Sequence, residues 1–388
     1  MDFNNTKIAF ASRSDSDLRR AWLLFKTLAS PSLVKVGNAL TNWALKANLP
    51  VNWVIKPTIY SHFVGGETLL QCQPVVNTLA QSYVNALLAY SVEGGHVAGD
   101  IEKALSETLR SIKNAGENPN IPFAVFKPTA FGNPSSLEKE SLGLSLSVQE
   151  QEDNQKFRQR VLQLCQAASN ANVPILIDAE DSWYQPAIDA TVEPMMQQFY
   201  KTHAIVFNTL QMYRHDRLAY LQAAHQRALN GKYVLGVKFV RGAYMEKERE
   251  RALKMNYPSP IQPDKASTDR DFDAALTYCA QNLGGISVFC GTHNEDSCMH
   301  LVQLMQQHSI AKSDNRIWFS QLYGMSDHIS FNLANAGYNV AKYVPYGPVK
   351  HVVPYLSRRA EENTSVAGQT GRELRLIETE QRRRKSTK

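Results

Sequence analysis

A closed α/β barrel of eight βα units is the fold this sequence predicts, and three observations predict it. Eight short apolar, β-branched runs follow one another after residue 80, segments with helical spacing separate them, and most of the runs end in ionisable or amide side chains. Alternating runs and helices are the pattern of a parallel sheet, whose strands are covered on both faces and so read as nearly continuous apolar stretches. Eight repeats favour closure over an open doubly wound sheet. The glycine-rich phosphate turn of that competitor is also missing, because Gly65-Gly66, Gly94-Gly95 and Gly284-Gly285 lack its spacing.

Residues 1–80 hold helical stretches at Asp17–Ala29 and Leu33–Ala47 and no clear strand, so they are expected to form an arm or cap. The strands are expected at 84–92, 122–127, 173–178, 204–210, 234–240, 286–290, 316–320 and 339–344. Helices such as Ile101–Ala115 and Gln155–Ala171 lie between them, each with one apolar face. The segment 130–152, rich in Gly, Ser, Pro and Glu, reads as an extended connection long enough to be functional. A last helix is expected over Pro348–Asn363. The resulting division is an arm at 1–80, a catalytic barrel at 81–370 and a basic tail at 371–388.

A chain of 388 residues accommodates one such barrel with an appendage, and 43% hydrophobic with 20% charged residues is ordinary for a globular protein. The net charge of +6 is mild. Its only dense run, Arg382-Arg383-Arg384-Lys385, reads as a solvated tail or a weak contact with an anionic membrane surface, and it lacks the interleaved aromatics of a nucleic-acid binder. Five cysteines without a Cys-x-x-Cys pair argue against a disulfide framework or a structural zinc and for a reducing compartment. No run approaches the roughly 18 apolar residues of a membrane span. With Asp2, Asp15 and Asp17 the N-terminus is unlike an acid-poor transit peptide, and a cytoplasmic location is expected.

In a barrel of this kind chemistry sits at the C-terminal ends of the strands. Those ends carry Lys127, Asp178 with Glu180 and Asp181, Gln211, Lys238 with Arg241, His293, and Lys342 with Tyr343. A ring of such groups is costly to bury without ligands or counter-ions. Lys127 and Asp178, from adjacent strands, could simply pair with each other. His293 has no neighbour at metal-ligand spacing, so no metal is expected. Gly242-Ala243-Tyr244, after Lys238 and Arg241, offers backbone N–H groups suited to an anionic or electron-rich cofactor. On the last helix Tyr355, Arg358 and Arg359 fall within little more than one turn. Adjacent arginines diverge by about 100°, so they either grip one carboxylate from a helix crossing the barrel mouth or form a solvated face with Glu361 and Glu362.

These residues resemble the proline dehydrogenase family across Tyr60 to Asn363. The resemblance rests on His62-Phe63-Val64 with Gly66-Glu67, Lys127-Pro128, Asp178-Ala179-Glu180-Asp181, Gln211-Met212-Tyr213, Lys238-Phe239-Val240-Arg241-Gly242-Ala243-Tyr244, His293-Asn294-Glu295-Asp296, Gln321-Leu322-Tyr323-Gly324-Met325, Tyr343-Val344-Pro345-Tyr346-Gly347-Pro348 and Tyr355-Leu356-Ser357-Arg358-Arg359, in the family's order. It implies a distorted TIM-like (βα)8 barrel with the final helix lying over a non-covalently bound FAD. It also implies oxidation of L-proline to Δ1-pyrroline-5-carboxylate and reoxidation by a membrane quinone, with peripheral membrane contact through the tail or the N-terminal helices.

By position the resemblance implies that Lys127, Arg358 and Arg359 bind the substrate carboxylate and that Leu322, Tyr343 and Tyr355 enclose the ring. Asp178 pairs within the cationic cluster, and with Lys238 it is assigned to catalysis. Ala179, Gln211, Lys238, Arg241, Gly242, Ala243, Tyr244, Thr292 and His293 would contact FAD. Lys238 follows the animal-type pattern where many bacterial members carry Arg, a change that alters hydrogen bonding because an ammonium is no planar fork. A 4-hydroxyproline dehydrogenase is the near alternative, disfavoured by the bulk of Tyr343. A Schiff-base aldolase or lyase using Lys127 is the rival from another class.

Overall fold

The structure, a computed structural model, describes residues 1–47, 52–91, 98–365 and 369–386, with backbone alone for 42–46, 52, 54, 98, 362–365 and 369–370. Val92, the end of the first expected strand, and Gly94-Gly95 lie outside the described residues. Along the chain run α1 (Thr6–Ala9), α2 (Asp15–Leu28), α3 (Pro31–Lys46), α4 (Asn52–Ile55), α5 (Ser61–Phe63), α6 (Leu69–Ala80), β1 (Asn85–Tyr90) and α7 (Ala98–Glu117). There follow β2 (Ala124–Phe126), α8 (Pro134–Ser141), α9 (Val148–Ala171), β3 (Ile175–Ile177), α10 (Gln185–Gln198), β4 (Val206–Gln211), α11 (Arg217–Gly231) and β5 (Leu235–Val240). The remainder is α12 (Met245–Met255), α13 (Lys265–Gln281), β6 (Ile286–Gly291), α14 (Glu295–Gln307), β7 (Ile317–Leu322), α15 (Asp327–Asn335), β8 (Val340–Tyr346), α16 (Val349–Ser365) and α17 (Gln369–Ser386).

All eight expected strands are present in one sheet, in the order β1-β8-β7-β6-β5-β4-β3-β2. Every pairing described is parallel. The chain divides into two compact units, one comprising 1–93 and 321–388 and the other 94–320.

In the unit of residues 94–320 the strands are short and buried on both sides: β2 and β3 are wholly buried, and so is β4, including Asn208, Thr209 and Gln211. Ser147 starts α9 with a reciprocal cap, accepting from Glu150 N while Glu150 accepts from Ser147 N at 2.9 Å. The segment 130–152 is not the extended connection expected. Asn133 caps and Pro134 opens α8, and α9 begins at Val148, so helical start signals outweigh the loop-like composition.

In the unit of residues 1–93 and 321–388, β1 pairs with β8 from Asn85 opposite Ala341 to Tyr90 opposite Tyr346. Leu18, Phe25, Phe63, Val352, Leu356 and Ile377 share one apolar cluster that joins α2, α5, α16 and α17. The basic C-terminal segment is a helix docked on α2 and not a solvated tail. Trp22 Nε1 donates to Glu378 at 3.0 Å, and Arg384 bonds Asp15 at 2.9 Å and the carbonyls of Phe10 and Arg13 at 2.8 Å. Among the described residues no helix is long and apolar enough to cross a membrane. The five cysteines are buried, and none is in a disulfide among the described residues.

Candidate active site

The strand ends of residues 94–320 gather most of the expected groups. Lys238, inside β5, donates from Nζ to Asp178 Oδ1 at 2.6 Å, and both are almost wholly buried. Asp178 sits just beyond β3, so the pair bridges across the intervening β4. The aspartate's charge offsets burial of the ammonium, which would be several kcal/mol out of balance alone. Asp178 thus bonds Lys238, the two brought together by strand order and side-chain facing. On β4 itself Thr209 lies opposite Lys238 in the register. Thr209 Oγ1 and Gln211 Oε1 are buried and have no hydrogen-bond partner among the described residues.

Arg241 follows β5 with its guanidinium held by side chains. Nε donates to Asp269 Oδ1 at 2.8 Å, Nη1 to Thr292 Oγ1 at 2.6 Å and Nη2 to Ser297 Oγ at 3.0 Å. Gly242 and Ala243 are exposed beside it. Gly242 has φ +131°, and a Cβ there would stand 2.5 Å from the Tyr213 ring, so only glycine carries the chain through this turn. Tyr244 and His293 are half-buried at neighbouring strand ends.

Glu180, quoted within a motif but given no role by the sequence, is enclosed next to Lys127 and Ala179. It accepts from Thr129 N at 2.8 Å and Thr129 Oγ1 at 2.6 Å. Burial pushes its carboxyl up to about 7, while the charge of Lys127 and the Thr129 hydrogen bonds pull the other way.

The remaining expected residues belong to the other unit. Leu322 closes β7 and Tyr343 lies in β8, both half-buried. On α16 Tyr355 and Arg359 are buried and Arg358 is half-buried, with the Arg359 guanidinium carbon 5.0 Å from the Tyr355 ring centroid. The Arg-Arg pair is therefore not a solvated helix face. Lys342, next to Tyr343, points the other way along the strand and bonds Asp327 at 2.9 Å with no exposure. The family-like glycines near residue 65 also have a physical reason: Gly65 N donates to Pro345 O at 2.9 Å, and a Cβ on Gly65 would stand 2.6 Å from Val344 Cγ1. Sequence reasoning missed Arg13, Asp327 and Asp269 as partners, since each lies in a helix or turn where a charge ordinarily faces water.

Eight parallel βα units with ionised groups gathered at strand C-termini define a barrel enzyme. Residues 72–372 match the family model described as proline dehydrogenase, and the chain belongs to that family of oxidoreductases of proline catabolism. It is 36% identical over 326 residues to the carbapenem antibiotics biosynthesis protein CarD of Pectobacterium carotovorum, covering 84% of both chains. It is 31% identical over 412 residues to the hydroxyproline dehydrogenase of Xenopus laevis, covering 97% of this chain and 88% of that one. Among solved structures, proline utilization A of Bdellovibrio bacteriovorus, inactivated by N-propargylglycine, superposes with a TM-score of 0.73 at 17% identity, covering 92% of this chain and 38% of the other. The likeness establishes the TIM-like barrel fold.

Proposed function

We propose that the protein oxidises L-proline to Δ1-pyrroline-5-carboxylate with a bound FAD and passes the electrons to a membrane quinone. The observation that carries this reading is the family match over residues 72–372, a span that holds the strand-end residues and the α16 arginines named above. The residues also fit a flavin. Thr209 Oγ1 and Gln211 Oε1 are buried polar atoms awaiting partners, and the exposed Gly242-Ala243 turn leaves backbone open to a ligand. When bound, FAD accepts the hydride that leaves C5 of proline, while the ring nitrogen gives up a proton.

The chain's own part is placement. Arg358, Arg359 and Lys127 hold the carboxylate, and Leu322, Tyr343 and Tyr355 surround the ring and exclude water. Lys238, paired with Asp178, is a donor toward the flavin. Ala179, Gln211, Arg241, Gly242, Ala243, Tyr244, Thr292 and His293 complete that contact surface. Hydroxyproline is the second reading, favoured by the Xenopus relative's name, and the bulk of Tyr343 beside the ring argues against it.

For the membrane step the supporting feature lies in the N-terminal helices. From Leu18 to Gly66 the chain holds six Arg or Lys and no Asp or Glu, and α3 exposes Leu33, Val36 and Leu40. The docked C-terminal helix is the weaker candidate, because Arg383 and Arg384 are engaged by Glu380. Turnover of L-proline against trans-4-hydroxy-L-proline, with a quinone analogue in anionic vesicles, tests the reading. The flavin spectrum is expected to bleach with proline, in a vesicle-bound fraction that high salt releases. Faster turnover of hydroxyproline, or a colourless protein trapped on its substrate by borohydride, would overturn it.

A further inference from the structure

The Arg241 guanidinium is unusually committed for a residue at a binding surface. It has five N–H bonds. Nε–H is taken by Asp269 Oδ1 at 2.8 Å, and Nη2 lies 2.7 Å from the same oxygen while donating to Ser297 Oγ at 3.0 Å. One Nη1–H goes to Thr292 Oγ1 at 2.6 Å. Beneath the plane, the Phe272 ring centroid is 4.4 Å from the guanidinium carbon. The acceptors are themselves fixed: Ser297 Oγ donates to Asp273 Oδ1 at 2.6 Å, and Thr292 Oγ1 accepts from Asn294 N at 3.1 Å. Among the described residues one Nη1–H of Arg241 is left with no partner.

Asp269, Phe272 and Asp273 all come from α13, a helix whose acidic stretch reads in sequence as an ordinary solvated face. In the fold that stretch is the seat of Arg241.

We propose that Asp269 is a positioning residue, clamping Arg241 so that a single N–H is presented as a directed donor to an oxygen acceptor of the flavin nucleotide. The inference rests on the assignment of Arg241 to the flavin. With Asp269 on one edge the guanidinium charge is largely offset locally, so what Arg241 offers is a hydrogen bond in a set direction more than a long-range field. Release of the clamp lets the side chain sample several rotamers, which weakens the contact without removing the donor.

The test is the dissociation constant for FAD, measured by flavin fluorescence on dilution of full-length holoenzyme, for Arg241→Met, Asp269→Ala, Asp269→Asn and Arg241→Met/Asp269→Ala. Arg241→Met and Asp269→Ala are each expected to weaken FAD binding about tenfold, Asp269→Asn less, and the double variant no more than Arg241→Met alone. Asp269→Asn keeps the side chain's shape should the alanine variant fold poorly, and thermal melts confirm folding of each. Lys265→Ala, which removes a surface partner of the other Asp269 oxygen, is expected to leave FAD binding unchanged. If Arg241→Met binds FAD like the parent, the flavin assignment fails and the inference with it. If Arg241→Met is weak but Asp269→Ala is unchanged or its effect adds in the double variant, the clamp alone is wrong.

Discussion

Two buried lysines, one in each compact unit, sit against aspartates in ways that differ instructively. Lys342 in β8 is wholly buried and bonds Asp327, whose second oxygen takes Arg13 at 3.1 Å, so both carboxylate oxygens are committed to cations. Lys238 in β5 bonds Asp178 at 2.6 Å, yet the strand between them carries Thr209 and Gln211 with polar atoms left unpartnered. A buried ion pair is therefore no mark of a site in itself. What marks the Lys238 region is hydrogen-bonding capacity at the strand C-termini, where a barrel receives its ligand, that no described residue takes up, and such capacity is costly unless a ligand takes it.

The largest expected effect tests the structural half of this contrast. Asp327→Asn leaves the buried Lys342 and the half-buried Arg13 without this counter-ion and should cost about 3–5 kcal/mol in urea unfolding. Burial alone would raise the Asp327 carboxyl, but the charges of Lys342 and Arg13 more than offset that and hold it far below its ordinary 3.8. A carboxyl depressed in the folded state contributes stability above its unfolded value and loses it as pH falls toward the folded one. The parent should thus lose stability below about pH 4 more steeply than Asp327→Asn. Equal acid limbs in the two proteins would show that the triad is not the structural element drawn here.

A smaller effect is expected at α16, where Arg359 is buried against Tyr355 and Arg358 is half-buried. Replacing either arginine by Met is expected to raise KM for proline about tenfold, roughly 1.4 kcal/mol, from loss of one charge-assisted contact. A thermal melt shifted with KM unchanged would move these arginines to the structural side of the comparison, beside Lys342.

The strands were legible in the sequence because a parallel strand buried on both faces writes itself as an unbroken apolar run. The helix Pro134–Ser141 was not, since Gly, Ser and Pro dominate the surrounding composition although Asn133 and Pro134 are good start signals. Strand-end residues such as Lys127, Asp178 and Gln211 could be picked out because barrel topology says where to look. Their partners could not. That Asp178 bonds Lys238, two strands away, depends on which side chains face one another across the strand order, and local sequence does not encode that. Asp269 and Asp327 are further cases, as an acidic residue near a helix start reads the same whether it meets water or a half-buried arginine.

The smallest expected effect is the most discriminating. Thr209 Oγ1 is buried without a partner opposite Lys238, so in flavin-free protein the hydroxyl contributes a desolvation cost and no bond in return. Thr209→Val keeps the shape and removes the polar atom. It should change the stability of flavin-free protein by less than about 1 kcal/mol, in the stabilising direction if at all. FAD should nevertheless leave the variant holoenzyme several-fold faster, because the group that the hydroxyl was left open to meet has lost its partner. Thr209→Val that destabilises flavin-free protein by more than about 2 kcal/mol, with FAD release unaltered, would place Thr209 among structural residues and remove the distinction between the two lysine sites.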